Sequence, residues 1–203
     1  MGRRPDHFSR RARTEDYPAR SVYKLEEIDR RLRLVRPATR VLDLGAAPGS
    51  WSLYLARAVG PAGSVVAVDP RGIDVALPPN VTVVRGEAEA VRDRIAALGP
   101  FDLVVSDMAP STTGDRLGDQ HRSFDLFHSA VSIARDVGAP GSAFLAKLFH
   151  GPSFEEARAL LRETYGSVRV MRPRATRSES YEIFLAGLDK GLGDPGEASG
   201  RRR

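Results

Sequence analysis

Two residues whose types suit proton handling stand late in apolar runs: Asp107 in "FDLVVSDMAP" and Lys147 in "GSAFLAKLF". The first run carries the pattern of a buried strand, yet it finishes on Ser106 and Asp107, and Pro110 keeps the chain from continuing as strand or helix. Lysine is rare in this chain. Of the 31 cationic residues 28 are arginine, and Lys24, Lys147 and Lys190 are the three lysines. Arginine does not give up its proton in a protein, whereas a lysine near its ordinary value of about 10.4 becomes a base once burial or a second cation lowers that value. Lys147 is thus a candidate general base, while Lys190, in the C-terminal tail, reads as incidental.

Glycine supplies a second signal. "VLDLGAAPGSW" puts Gly45 and Gly49 in a turn between a strand and a helix, where the absence of a side chain lets backbone approach a ligand closely. The spacing is not G-x-G-x-x-G, and Pro48 lacks an N–H that would have cradled a pyrophosphate, so a dinucleotide-dependent dehydrogenase is disfavoured. Asp69 closes "SVVAVD" at a position suited to accepting hydrogen bonds from ribose hydroxyls; taken alone it reads equally well as a turn acid.

The elements that must position these residues alternate. Strands are expected at "TRVLDLG", "GSVVAVD", "VTVVRG", "FDLVVSD" and "GSAFLAKLF". Helices are expected at "SWSLYLARAVG", "EAEAVRDRIAALG", "RSFDLFHSAVSIARDV" and "SFEEARALLRETYG", the last opened by a capping box from Ser153 to Glu156. Two final strands, "SVRVMRP" and "SYEIFLAGL", follow one another without a helix and must pair antiparallel, since a parallel pair requires a long crossover. The fold class is therefore α/β: a doubly wound, mostly parallel sheet with an antiparallel edge and helices on both faces. In that architecture ligands bind outside the carboxyl ends of the strands, where Asp107 and Lys147 both fall.

Composition narrows the function classes. The 203 residues fit one domain, and no apolar run is long enough to span a bilayer. There are no cysteines, so thiolate metal sites and disulfides are excluded, and His7, His121, His128 and His150 lack metal-ligand spacing. Residues 1–40 hold 12 Lys/Arg against 6 Asp/Glu, a net +6 that leaves −1 for the remainder of a chain whose total is +5. A basic segment ahead of a neutral body is the electrostatic footprint of a phosphate-backbone partner, and Arg169, Arg172, Arg174 and Arg177 add a second basic loop. The expected organisation is a basic arm over residues 1–20, a domain over 21–188 and a disordered tail over 189–203.

Five separated stretches, "ARSVYKLEEID", "DLGAAPGSW", "SDMAP", "AKLFHG" and "SYEIF", resemble the FtsJ-like (RrmJ-like) family of ribosomal RNA 2′-O-ribose methyltransferases, in that family's order and over roughly residues 9–188. The resemblance implies an S-adenosylmethionine-dependent methyltransferase fold with a seven-stranded sheet. It implies a catalytic tetrad of Lys24, Asp107, Lys147 and Glu182. Read singly, Lys24 is a charge on the wet face of an amphipathic helix and Glu182 the solvent side of an edge strand. The resemblance further implies that Gly45, Gly49 and Trp51 hold the cofactor around the first turn, Asp69 at its ribose and Glu87 near its adenine, with Asp107 between cofactor and substrate. The implied partner is ribosomal RNA or the large ribosomal subunit, with a uridine as acceptor, for a cytoplasmic, metal-free monomer. Transfer RNA, messenger RNA caps, or a non-catalytic assembly role are the alternatives. Ser50 stands where the family commonly has glycine, Glu87 where it has aspartate, and "STTGDRLGDQHRSF" follows its own wording on the substrate side.

Overall fold

The computed structural model describes residues 7–177 and 179–191. Seven strands, β1 (Arg40–Leu44), β2 (Ser64–Asp69), β3 (Val81–Arg85), β4 (Phe101–Ser106), β5 (Gly138–Phe149), β6 (Tyr165–Met171) and β7 (Glu182–Lys190), form one sheet in the order β3-β2-β1-β4-β5-β7-β6. β1 to β5 are mutually parallel, and β7 lies antiparallel to both β5 and β6. The expected antiparallel pairing of the last two strands is therefore present, with β7 inserted inside β6 so that it reaches the centre of the site.

The central strands are apolar runs because both of their faces are covered. On one face α2 (Val22–Leu32) and α3 (Ser50–Val59) pack Leu25, Ile28, Trp51 and Leu55 against Val41, Val65, Leu103, Leu145 and Phe184. On the other, α4 (Arg92–Leu98), α5 (Arg116–Val137) and α6 (Phe154–Arg162) cover Leu42, Val104, Phe144 and Leu185. The chain leaves β1 to one side and returns to β4 on the other, so the order reverses between these neighbours, and their carboxyl ends open the crevice where such folds bind ligands.

The arm is partly folded. Residues His7–Thr14 form α1, whose buried Ala12 joins Phe8, Tyr17, Val22, Tyr23 and Ala175 in a small separate core. Arg11 lies 4.2 Å over the Tyr23 ring and pairs with Glu15 and Glu26, so part of the positive charge is fixed against the body. Residues 1–6 of the arm and 192–203 of the expected tail lie outside the described residues, whereas Asp189 and Lys190 complete β7.

Three local expectations need correction. α5 begins at Arg116, well before the expected Arg122, because Asp119 and Gln120 are buried there: Asp119 accepts from Thr113 N at 3.0 Å and pairs with Arg122, and Gln120 donates to the His150 carbonyl. α4 begins at Arg92, not at Glu87, since Gly86 stands at φ 151 and the chain turns to bury Ala88 and Val91. Ser153 heads α6 without forming the capping box: its φ −78 and ψ 9 are not the extended values from which a cap hydroxyl reaches back to the first turn.

Candidate active site

The turn after β1 is built on close backbone approach. Gly45 has φ +75, and a side chain there would meet the Met108 backbone nitrogen at 2.9 Å and Cγ at 2.7 Å, so only glycine lets the β1 and β4 loops touch. Gly49, at φ +106, turns the chain into α3 and packs against Ile73 and Val75. Asp69, buried at the end of β2, ties neighbouring loops together: Oδ2 accepts from Ala47 N at 3.0 Å and Oδ1 from Arg71 N at 2.9 Å.

These loops wall a cavity of about 990 Å³. Its lining includes Gly45, Asp69, Glu87, Asp107, Met108 and Asp125. Four carboxylates face two arginines across the wall, Arg71 and Arg122, and both arginines are already paired with aspartates. The excess of acid suits a ligand that carries positive charge.

Asp107 belongs to this wall and also to a second cluster. Its carboxylate Oδ1 and its carbonyl oxygen both accept from Lys147 Nζ, at 2.8 and 2.7 Å. Beside it, Lys24 of α2 pairs with Glu182 at the start of β7. Side-chain exposures of 7% for Lys147, 11% for Glu182, 14% for Lys24 and 19% for Asp107 make these pairs largely desolvated. The β5–β7 register explains the convergence. Lys147 stands opposite Phe184 and Glu182 opposite Phe149, so Lys147 and Glu182 are diagonal neighbours on the face that α2 covers. The four residues singled out as a tetrad thus meet at one edge as two ion pairs.

Trp51 differs from the expectation of a cofactor contact through its side chain. The ring is buried in the core, 5.9 Å from the Phe184 ring, and its Nε1 donates to the Ser21 carbonyl at 3.0 Å. It anchors the start of α2, the helix that carries Lys24, and lies outside the cavity wall. Gly49 is likewise not part of the wall, whereas Gly45, Asp69, Glu87 and Asp107 are. His121 and His128 are exposed along α5, and no group of three or more His, Asp or Glu among the described residues could hold a metal ion. Lys190 is not a tail residue: from β7 its Nζ donates to the carbonyls of Ala134, Arg135 and Gly138, where α5 ends.

Asp43, in the middle of "VLDLG", went unread in the sequence although an acid in a fully buried strand was the available signal. Its Oδ2 accepts from Ser52 Oγ at 2.6 Å, and Oδ1, buried, has no partner among the described residues. Loss of hydration pushes its carboxyl up to about 7; the Ser52 hydrogen bond opposes this, and the nearby charges of Asp107 and Asp69 add to it.

The family model for FtsJ-like methyltransferases matches residues 17–190. A protein of Sorangium cellulosum named ribosomal RNA large subunit methyltransferase E is 51% identical over 189 residues, covering 93% of this chain and 89% of that one. A protein of the same name from Nitratidesulfovibrio vulgaris is 46% identical over 187 residues, covering 90% and 93%. Among solved structures, a chain from Plasmodium falciparum assigned as a ribosomal RNA methyltransferase shares the fold at TM-score 0.75 and 22% identity, covering 88% of this chain and 100% of that one. Fibrillarin from Aeropyrum pernix, solved with natively bound S-adenosyl-L-methionine, does so at TM-score 0.58 and 16% identity, covering 76% and 68%.

Proposed function

The chain belongs to the FtsJ-like methyltransferase family, and from that premise we propose that it transfers a methyl group from S-adenosylmethionine to a ribose 2′-oxygen of large-subunit ribosomal RNA, on a uridine. The observation that carries this reading is the meeting of two desolvated ion pairs, Lys147 with Asp107 and Lys24 with Glu182, at the rim of an acid-lined cavity. Relatives that cover about nine-tenths of the chain and act, by name, on large-subunit ribosomal RNA support the choice of substrate.

The cofactor fits the cavity in both size and charge. Gly45 gives its backbone room, Asp69 and Glu87 offer acceptors for ribose and adenine, and Asp107 is the boundary with the substrate side. Gly49 and Trp51 stand outside the cavity wall and act on it indirectly: Gly49 turns the chain into α3, and Trp51 anchors the start of α2. Bound S-adenosylmethionine supplies a methyl group on a sulfonium centre, a strong electrophile.

The protein then has to align one hydroxyl and remove its proton. Nζ of Lys147 is held by two bonds to one residue, which leaves one tetrahedral direction for the ribose 2′-hydroxyl. In the neutral amine that direction carries the lone pair that takes the proton, so Lys147 is the general base and Asp107 its positioning group. Lys24, steadied by Glu182, orients the ribose. The basic α1 segment and the Arg172–Arg177 loop supply the phosphate contacts, and the protein acts as a monomer in the cytoplasm. Among the described residues no helix is long and apolar enough to cross a membrane.

Labelled methyl transfer to large subunits that lack 2′-O-methylation tests the proposal, with Lys147→Ala beside the wild type and cofactor affinity measured by calorimetry. Wild-type transfer to a ribose 2′-oxygen, with a loss of about 100-fold or more in the variant at unchanged cofactor affinity, is the expected result. Methyl found on a base, or a variant that retains normal turnover, refutes it.

A further inference from the structure

Beyond Lys147 along β5 lies an aromatic pair that neither the cavity nor the tetrad uses. Phe149 is two residues on from Lys147, hence on the same face of the sheet and about 7 Å further out. It stands opposite Glu182 in the ladder. The residue before Glu182 is Tyr181, whose ring lies 4.8 Å from that of Phe149 at 68° and whose carbonyl accepts from His150 N at 2.8 Å. The guanidinium of Arg116, exposed at the head of α5, lies 5.1 Å from the centre of the Tyr181 ring.

The burial of this group sets it apart. The pairs Trp51–Phe184 and Phe144–Tyr165 are core contacts between buried rings. Phe149 and Tyr181 are only half-buried and sit at the open carboxyl edge. Arg116 belongs to an exposed segment, residues 111–117, that also contributes Ser111 and Thr113 to the cavity wall. That segment is the one whose wording departs from the family pattern, so the group joins a chain-specific loop to the residues around the reacting atoms.

We propose that Tyr181, Phe149 and Arg116 form a stacking platform for the base of the acceptor nucleotide. This proposal rests on the RNA methyltransferase reading above. A ribose can be held in line only if its nucleotide is immobilised, and a base drawn out of its helix needs a π-face to replace the neighbours it has left. The Tyr181 ring, with the Arg116 guanidinium over it, supplies that face, and the Phe149 ring packs against Tyr181 at 68°. Arg116 offers a planar cation that stacks on the base or pairs with an adjacent phosphate. These are positioning residues: stacking tolerates any base, so the platform fixes geometry and leaves base identity to other contacts.

Two measurements test it. In the first, a short single-stranded RNA with 2-aminopurine flanked by uridines is titrated with protein, and stacking is read as fluorescence quenching. Quenching by the wild type and by Tyr181→Phe, lost in Tyr181→Ala and weakened in Arg116→Ala, is expected; equal quenching by all four proteins overturns the platform. In the second, Tyr181→Ala raises KM for large subunits by about tenfold or more, while Tyr181→Phe stays within about twofold of the wild type and cofactor affinity does not change. An unaltered KM in Tyr181→Ala overturns the platform and leaves the methyltransferase reading intact. Failure of the wild type to methylate RNA sinks that reading instead, and quenching alone then decides the platform. Melting temperatures of the variants separate loss of stacking from loss of fold.

Discussion

Replacing Asp43 by Asn should abolish a pH dependence of stability that originates in one buried carboxyl. Asp43 is fully buried, and its value is pushed from 3.8 to about 7, first by loss of hydration, with Ser52 opposing and the charges of Asp107 and Asp69 adding to it. Between these two values the folded protein keeps a proton that the unfolded chain has released. Stability from this group is therefore complete below pH 3.8, falls as pH rises toward 7, and stays low above. Roughly three pKa units at about 1.4 kcal/mol each give about 4 kcal/mol over the whole window, of which the span from pH 5 to 7 gives about 2 kcal/mol because the carboxyl is half ionised at pH 7. Asparagine is neutral, nearly the same shape, and able to accept the Ser52 hydroxyl, so the variant lacks this slope. Urea titrations at pH 5, 6, 7 and 8 measure it, and Trp51, the one tryptophan in the chain and buried beside Phe184, is a suitable fluorophore. Because all other titrating groups are shared, the stability difference between the two proteins isolates Asp43: the variant should gain about 2 kcal/mol on the wild type from pH 5 to 7. Parallel curves would refute the reasoning, since they would mean that the carboxyl is charged in the fold at little cost.

Gly45→Ala forces a left-handed residue and a Cβ into contact with Met108 backbone. It should cost about 1–3 kcal/mol of stability and lower S-adenosylmethionine affinity by about tenfold or more; calorimetric titration that matches the wild type would show that the turn has slack. Lys190→Met leaves the carbonyls of Ala134, Arg135 and Gly138 without their shared donor and should cost about 1–3 kcal/mol in urea titration, with methyl transfer unchanged at 25 °C.

What the sequence made legible follows the reach of the forces involved. Strands β1, β2, β4 and β5 are recognisable because covering both faces demands apolar runs, and the antiparallel end because a short connection forbids a crossover. Helix starts were misplaced where contacts from outside the helix override local pattern: the first turns of α5 hold Asp119, bonded to Thr113 ahead of the helix, and Gln120, bonded to the His150 carbonyl beyond β5. The site divides in the same way. Asp107 and Lys147 stand out by position and residue type. Lys24 and Glu182 do not, since each resembles an ordinary wet-face charge until the fold sets them against one another. Trp51 has a part that its motif did not suggest, for its ring holds α2 against the sheet.

Two of the three lysines share a structural basis, and one of them is the residue that sequence reading set aside. Each of these two ammonium groups is placed where acceptors converge on a point, two atoms of Asp107 around Lys147 and three carbonyls around Lys190, whereas Lys24 meets the Glu182 carboxylate. A planar guanidinium spreads its donors in a flat fork and suits a carboxylate or phosphate met edge-on, whereas the tetrahedral ammonium bonds to oxygens arranged about one centre. At Lys190 this geometry closes the end of α5, which is structural. The same geometry at Lys147 leaves one direction open toward the substrate side, and an arginine there would have neither the compact reach to both Asp107 oxygens nor a proton it could release. Lysine at 147 is thus required twice over, by the shape of its neighbours and by the chemistry proposed for it, while at 190 it is required by shape alone.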